Sequence, residues 1–261
     1  MITELAYKAL IREVELTPKP GLVDKDNSGS HKDMNIDTFY ASAKAIKPFI
    51  QKFLDQEEFS ELRKIGLACE NAMFIATNGI NTHKGMIFSL AVICGAINRA
   101  KSFDEIQKEI KYLCKDLITN DLEKSKQIKT NGEKFYLKTN NTGIRGEAVS
   151  GYAIIFEKSL PFYEKNLLIY TEDKAMKLTL LYLMSIVNDS TLYARGGLDA
   201  IFYVKNEAKK LLYVEDLDKS LRKFDRMMIE KNLSAGGSAD LLGLTWFLSK
   251  VKGVYNQNTI T

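Results

Sequence analysis

Apolar residues recur at helical spacing along almost the whole chain, and almost no stretch alternates with period two between hairpin turns. That pattern selects an all-α architecture, because a half-buried strand must alternate its faces. A first helix is expected through Ile2, Leu5, Ala6, Ala9 and Leu10, ending near Glu15. A second is capped by Asp37 or Thr38, puts Phe39, Ala43 and Ile46 on one face, and meets a kinking residue at Pro48. A third starts at Ser60-Glu61, runs through Leu62, Ile65, Ala68, Cys69, Ala72 and Ile75, and stops at Asn78-Gly79. Further helices are expected over residues 86–99, 104–118, 172–187, 198–212, 214–231 and 238–251, with apolar spacing also over 146–156. The 261 residues are read as a single globular multi-helix domain whose functional groups sit in loops at helix ends.

Residues 13–34, EVELTPKPGLVDKDNSGSHKDM, interrupt this pattern with neither period. A loop of that length inside a compact domain is usually functional or disordered. Order is favoured here: Pro18 and Pro20 fix φ, Gly21 admits positive φ, and Leu22-Val23 can anchor to a core. The side chains expected to face outward are Lys19, Asp24, Asp26, Asn27, His31, Lys32 and Asp33, a set suited to phosphate and a divalent metal. A second polar stretch, the Lys-rich residues 119–141, reads as an exposed excursion or a mobile lid.

The net charge of +4 is mild and dispersed, which argues against nucleic acid as a partner while suiting a small polyanionic substrate. Three widely spaced cysteines, with no CxxC pair, read as reduced thiols of a cytoplasmic protein. Charge runs through the first fifteen residues, so no signal peptide is expected. The most apolar run spans 12 residues, 86–97. A membrane-crossing helix needs about 20, so no membrane partner is expected.

Four glycine-containing polar blocks lie at helix ends. The first is the opening loop. The second, GINTHKG (79–85), offers Asn81, Thr82, His83, Lys84 and the N–H of Gly85 at a helix N-terminus, where free N–H groups and the dipole favour anions. In the third, TGIRGE (142–147), Arg145 can grip a phosphate bidentately and Glu147 enters a first turn. The fourth, NLSAGGSAD (232–240), projects Ser234, Ser238 and Asp240 from a turn through Gly236 and Gly237. A lesser block, NDSTLYARGG (188–197), carries Asp189, Ser190 and Arg195. Each alone has an ordinary reading as a cap or a structural ion pair. HKD and THKG lack the spacing of a His-based zinc site, and neither a Walker A motif nor a strand-preceded GxGxxG occurs.

In this order, TPKPGLVDKDNSGSHKDM, NTHKG with IFSL, GIRGEA with GY, and NLSAGGSADLL resemble the triphosphoribosyl-dephospho-CoA synthase family, over about residues 13–247. The chain departs from the family pattern at Ser30, Asn35, Thr191, Tyr193-Ala194 and Ala235, while the acidic and basic groups remain. The resemblance implies a transferase that joins ATP to 3′-dephospho-CoA. The acceptor's 2′-hydroxyl attacks C1 of the ATP ribose, adenine leaves, and the triphosphate stays on the sugar. It implies that Lys19, Asn81, Lys84, Gly85, Arg145, Arg195, Gly236, Gly237, Ser238 and Asp240 bind nucleotide and phosphate. Magnesium is implied on Asp24, Asp33 or Glu147, with the base drawn from Asp33, Glu147 and Asp240, Glu147 being favoured. His31 or His83 would assist the departing purine. Two other readings remain open: a related transfer to a different acceptor in a cofactor pathway, and a nucleotide-binding protein without turnover. Exposed tyrosines and a mostly apolar last helix would permit a homodimer without requiring one.

Overall fold

The computed structural model describes residues 1–123 and 131–258, all of them helix, turn or loop, with no strand among the described residues. Twelve helices are described: α1 (Ile2–Glu15), α2 (Ile36–Leu54), α3 (Phe59–Ala76), α4 (Lys84–Arg99), α5 (Ile106–Cys114), α6 (Asn131–Thr139), α7 (Gly143–Val149), α8 (Leu160–Leu167), α9 (Glu172–Ile186), α10 (Ser190–Leu211), α11 (Leu217–Glu230) and α12 (Gly236–Asn258). Helix α8 was not expected; Pro161 in its first turn, a favoured place for proline, marks its start. The expected helix at 198–212 is the second part of α10: the backbone is non-helical at Gly196 and Gly197, where Gly197 takes φ +66°, and a helical segment from Ser190 that was not expected precedes the break. None of the described helices is long and apolar enough to cross a membrane.

Helices α4 and α12 form the centre. The α4 residues from Met86 to Ile97 are buried except Phe88, so the helix is apolar nearly all round, as a helix enclosed by others must be. It packs against α2, α3, α5, α7 and α12, while α12 also packs against α1, α8, α9 and α10. Gly243 lets the two cross closely, with its Cα facing Met86 Cε. Both helices point their N-termini at one region, so both dipoles converge there.

The face of α3 is turned relative to the sequence reading. Leu62, Gly66, Cys69 and Met73 are buried, whereas Ile75 is exposed. The cap of α2 is Asn35, not Asp37 or Thr38: its side chain accepts from Thr38 N–H and the Thr38 hydroxyl meets the Asn35 backbone N–H. Pro48 lies inside α2. All three cysteines are buried free thiols, each pushed by burial up to about 12.

The long opening loop is ordered by α11. Asp225 accepts from Gly21 N–H at 2.8 Å and Asn27 Nδ2 at 3.0 Å, and Ser30 Oγ donates to the Leu233 carbonyl at 2.6 Å. Gly21 has φ +69°, and a Cβ there would lie 2.4 Å from the Leu233 carbonyl oxygen. Gly21→Ala therefore combines a left-handed backbone with a backbone clash, and a loss of about 3 kcal/mol is expected. Chemical denaturation tests this, and an unchanged midpoint would refute it.

The stretch expected as an exposed excursion or lid is anchored at Leu122 and Phe135, while Lys134, Leu137, Lys138 and Asn140 are exposed. Phe135 of α6 is buried and its ring sits 4.5 Å from that of Tyr193 in α10. A single π-helical turn, Thr119–Glu123, precedes it. The Lys-rich residues 124–130 lie outside the described residues.

Candidate active site

A cavity of about 920 Å³ lies where the N-termini of α4 and α12, the start of α10, the cavity face of α3, helix α7 and the opening loop meet. Lys19, His31, Asn81, Lys84, Gly85, Arg145, Glu147, Arg195, Gly236, Gly237 and Asp240 all line it. Four side chains expected at the site, Asp24, Asp33, His83 and Ser238, do not. Each has a physical reason.

Asp24 is buried inside its own loop, accepting backbone N–H groups from Lys19, Asp26 and Asn27. Its carboxylate holds the turn and does not face outward. Asp33 is on the outside, with its side chain 63% exposed and 3.9 Å from His31 Nδ1. Ser238 is buried, its N–H and hydroxyl both donating to Asp189 Oδ2. His83 lies behind the wall, with Nδ1 2.6 Å from Ser42 Oγ and its ring edge-on to Phe39. Complete burial drives its pKa down to about 3, so it is neutral and has no proton to give a purine at ordinary pH.

The glycine-rich turn into α12 is also partly spoken for. Gly236 N–H donates to Thr191 Oγ1 at 2.9 Å, and that hydroxyl donates to Asp189 Oδ1. Asp189 thus caps α10 and ties it to the first turn of α12. At α4, Lys84 N–H meets Asn81 Oδ1, while the Cα of Gly85 packs against the Asp240 carboxylate: a Cβ would sit 2.3 Å from Oδ2. Glycine at 85 is what allows the two helix ends to approach.

The cavity's cations come mostly with acids. Lys19 is 1% exposed, donating to the Glu13 carboxylate and carbonyl. Lys84 pairs with Glu70 at 2.9 Å; Arg145 pairs with Asp121 and Glu133, each at 3.2 Å. Arg195 differs: it donates to the Ser30 and Asn232 carbonyls, the Asn232 side chain and His31 Nδ1. All of those are neutral groups, and the one acid that acts on its charge is the exposed Asp33 beyond His31. Burial and this guanidinium lower the His31 pKa. Arg195 Nη2 lies 3.2 Å from His31 Nδ1 and 3.5 Å from Nε2, and Nε2 faces Ser234 Oγ at 3.1 Å.

Because Lys19 and Glu13 are both buried, removing one partner strands a charge. Glu13→Gln is expected to cost about 3–5 kcal/mol, and Glu13→Gln with Lys19→Met to recover much of that. Thermal melts of both variants decide it; equal destabilisation by the single and double changes would contradict the pairing.

Two carboxylates stand apart electrostatically. For Asp240, burial, then Glu13 and Asp189, hold its pKa well above the usual carboxylate range. Glu147 is raised by burial, with partial relief from Ile154 N–H, and its Oε2 is buried without a partner. Helix α7 ends in two left-handed residues, Gly151 (φ +72°) and Tyr152 (φ +52°), and Tyr152 N–H donates to the Glu147 carbonyl. The buried Tyr152 hydroxyl, raised first by burial, also feels the charge of both carboxylates.

Sequence reasoning missed Glu13, Arg63, Glu70 and Asp121, which all line the cavity. The signal available was the α3 spacing Phe59, Arg63, Gly66, Glu70, Phe74, a helical stripe on the face beside the apolar one.

The sequence profile of the ATP:dephospho-CoA triphosphoribosyl transferase family matches residues 1–259. A protein of Vibrio cholerae serotype O1 (strain M66-2), named "Probable 2-(5''-triphosphoribosyl)-3'-dephosphocoenzyme-A synthase", is 40% identical over 95% of this chain and 87% of its own length. A relative of the same name from Photobacterium profundum is 42% identical over 96% of this chain and 87% of its own length. No solved structure matches the chain. The chain belongs to this transferase family.

Proposed function

We propose, starting from that membership, that the cavity binds ATP and 3′-dephospho-CoA together and makes 2′-(5″-triphosphoribosyl)-3′-dephospho-CoA with release of adenine. In this reading the acceptor's 2′-oxygen forms a bond to ribose C1 as the C1–N9 bond to adenine breaks. Glu147 takes the hydroxyl proton and Asp240 supplies one to the departing base; Glu147 then releases its proton to solvent and Asp240 takes one up, which restores both before the next turnover. The observation that carries the reading is that two carboxylates lining one cavity both have raised pKa values, Asp240 in the first turns of α12 and Glu147 on α7. Asp240, a base candidate in the sequence, is reassigned as the acid because its surroundings oppose ionisation more strongly.

Arg195, the N–H of Gly85 and the first turn of α12 suit the triphosphate, with His31 as a neutral neighbour held in place by Arg195 and Ser234. Among the described residues no group of three or more His, Cys, Asp or Glu side chains is arranged to hold a metal. Magnesium commonly uses one or two carboxylates together with substrate phosphates, so it would be held chiefly by the triphosphate. Of the three expected ligand carboxylates, only Glu147 lines the cavity. The reading treats the chain as one catalytic domain, supported by the family match over residues 1–259 and a continuous apolar core.

Chromatography of adenine formed from ATP, with and without 3′-dephospho-CoA, tests the proposal. Adenine appearing only with the acceptor, with equal loss of both substrates, is the expected result. Adenine without acceptor would indicate a different transfer, and ATP bound with no adenine released would remove the catalytic reading.

A further inference from the structure

Arg63 and Arg145 approach one carboxylate from two helices. Arg63 reaches both oxygens of Asp121 at 2.8 Å, and Arg145 Nε reaches Oδ2 at 3.2 Å. Arg63 Nη2 and Arg145 Nε are therefore both held within hydrogen-bond reach of a single anionic position on the cavity wall, while Arg145 Nη2 stays on Glu133 at 3.2 Å. Asp121, 14% exposed, is presented there by the π-helical turn Thr119–Glu123, a rare geometry that recurs at functional sites. Beside the pair the wall turns apolar: Arg63 lies over the Phe59 ring at 5.0 Å, followed by Leu67 and Phe88. Between them, a Cβ at Gly66 would meet nothing within 4 Å, so the lane along α3 is open.

We propose that the Arg63–Arg145 pair is the station for the acceptor's diphosphate, with Asp121 occupying the phosphate position until the acceptor displaces it. The inference rests on the proposed reaction. Two anionic substrates need two stations, and the features divide them. The Arg195 end lies against the helix N-termini and Asp240, where a triphosphate would sit. The Arg63–Arg145 end adjoins a lane along α3 that is lined by Phe59, Leu67 and Phe88 and bordered by the Glu70–Lys84 pair. 3′-Dephospho-CoA carries a long, uncharged pantetheine arm directly beyond its diphosphate, and ATP carries nothing comparable. Carboxylate and phosphate offer the same fork geometry to arginine, so exchange of one for the other keeps the guanidinium hydrogen bonds satisfied.

The test uses steady-state adenine release with each substrate varied separately. Arg63→Gln is expected to raise KM for 3′-dephospho-CoA roughly ten- to hundredfold, on the scale of a lost charge-assisted hydrogen bond, with KM for ATP within about threefold of wild type. Asp121→Asn, which weakens the competitor, is expected to lower or hold KM for the acceptor although it removes an ion pair. Gly66→Leu is expected to obstruct the pantetheine arm, raising KM for 3′-dephospho-CoA and not for ATP. A rise in KM for ATP with Arg63→Gln would reassign the station to the triphosphate. Loss of thermal stability in all three variants with both KM values unchanged would make the network purely structural. A wild-type protein that releases no adenine would fail the proposed function itself, and calorimetric binding of 3′-dephospho-CoA to wild type and Arg63→Gln would then still judge the station.

Discussion

Glu147→Gln is expected to lower the rate of adenine release by about 10²–10⁴-fold while ATP still binds, the range over which a positioned general base acts. The amide keeps the shape of the side chain and can still accept from Ile154 N–H, but it cannot take a proton. Oε2 of Glu147 is buried with no partner, so the wild-type carboxylate is the costly form and the variant should melt at or above the wild-type temperature. Because burial raises the Glu147 pKa, the acid limb of kcat/KM should lie above the ordinary carboxylate range and vanish in the variant. Single-turnover kinetics with ATP binding measured in parallel would check this. Turnover at the wild-type rate would take the base away from Glu147.

Asp240→Asn should be nearly as damaging, by about 10²–10³-fold, through loss of the proton donated to the leaving adenine. The alkaline limb should disappear with it, since activity in the wild type requires the protonated form. Replacing ATP by an analogue whose purine leaves without protonation should restore much of the rate in the variant, which a merely structural defect would not allow. The stability sign is separate and opposite. A folded-state pKa above the unfolded one means that the native protein binds more protons in that interval, so wild-type stability falls as pH rises through it. Asparagine has no such titration. The variant should therefore gain stability over wild type as pH rises from the ordinary carboxylate range towards the raised Asp240 value. Thermal melts across pH that ran parallel for the two proteins would contradict a raised Asp240 in the fold.

Three of the residues read from the sequence as departures from the family resemblance, Asn35, Ser30 and Thr191, have local partners in the structure. Asn35 caps α2, Ser30 donates to the Leu233 and Met228 carbonyls, and Thr191 links Asp189, the Ser234 carbonyl and Gly236 N–H. They hold the loops that frame the cavity.

The sequence by itself determined the all-α class and most helix positions, because helical spacing is a local property that each segment carries independently. It also brought out the polar blocks, since glycine turns before helices and clustered hydrogen-bonding side chains are visible in a string of residues. Burial decided the rest. Nothing local distinguishes Asp24, closed on its own loop, from Asp240, strained on the cavity wall; the difference lies in Glu13 and Asp189, which come from other helices. His31 and His83 likewise read alike, yet one lines the cavity and the other is sealed behind it. Arg63 was passed over because its face of α3 became a wall only when α7 and the turn at Asp121 closed against it. Sequence sets which groups are available, whereas desolvation and neighbouring charge set their protonation, and both are properties of the packed chain.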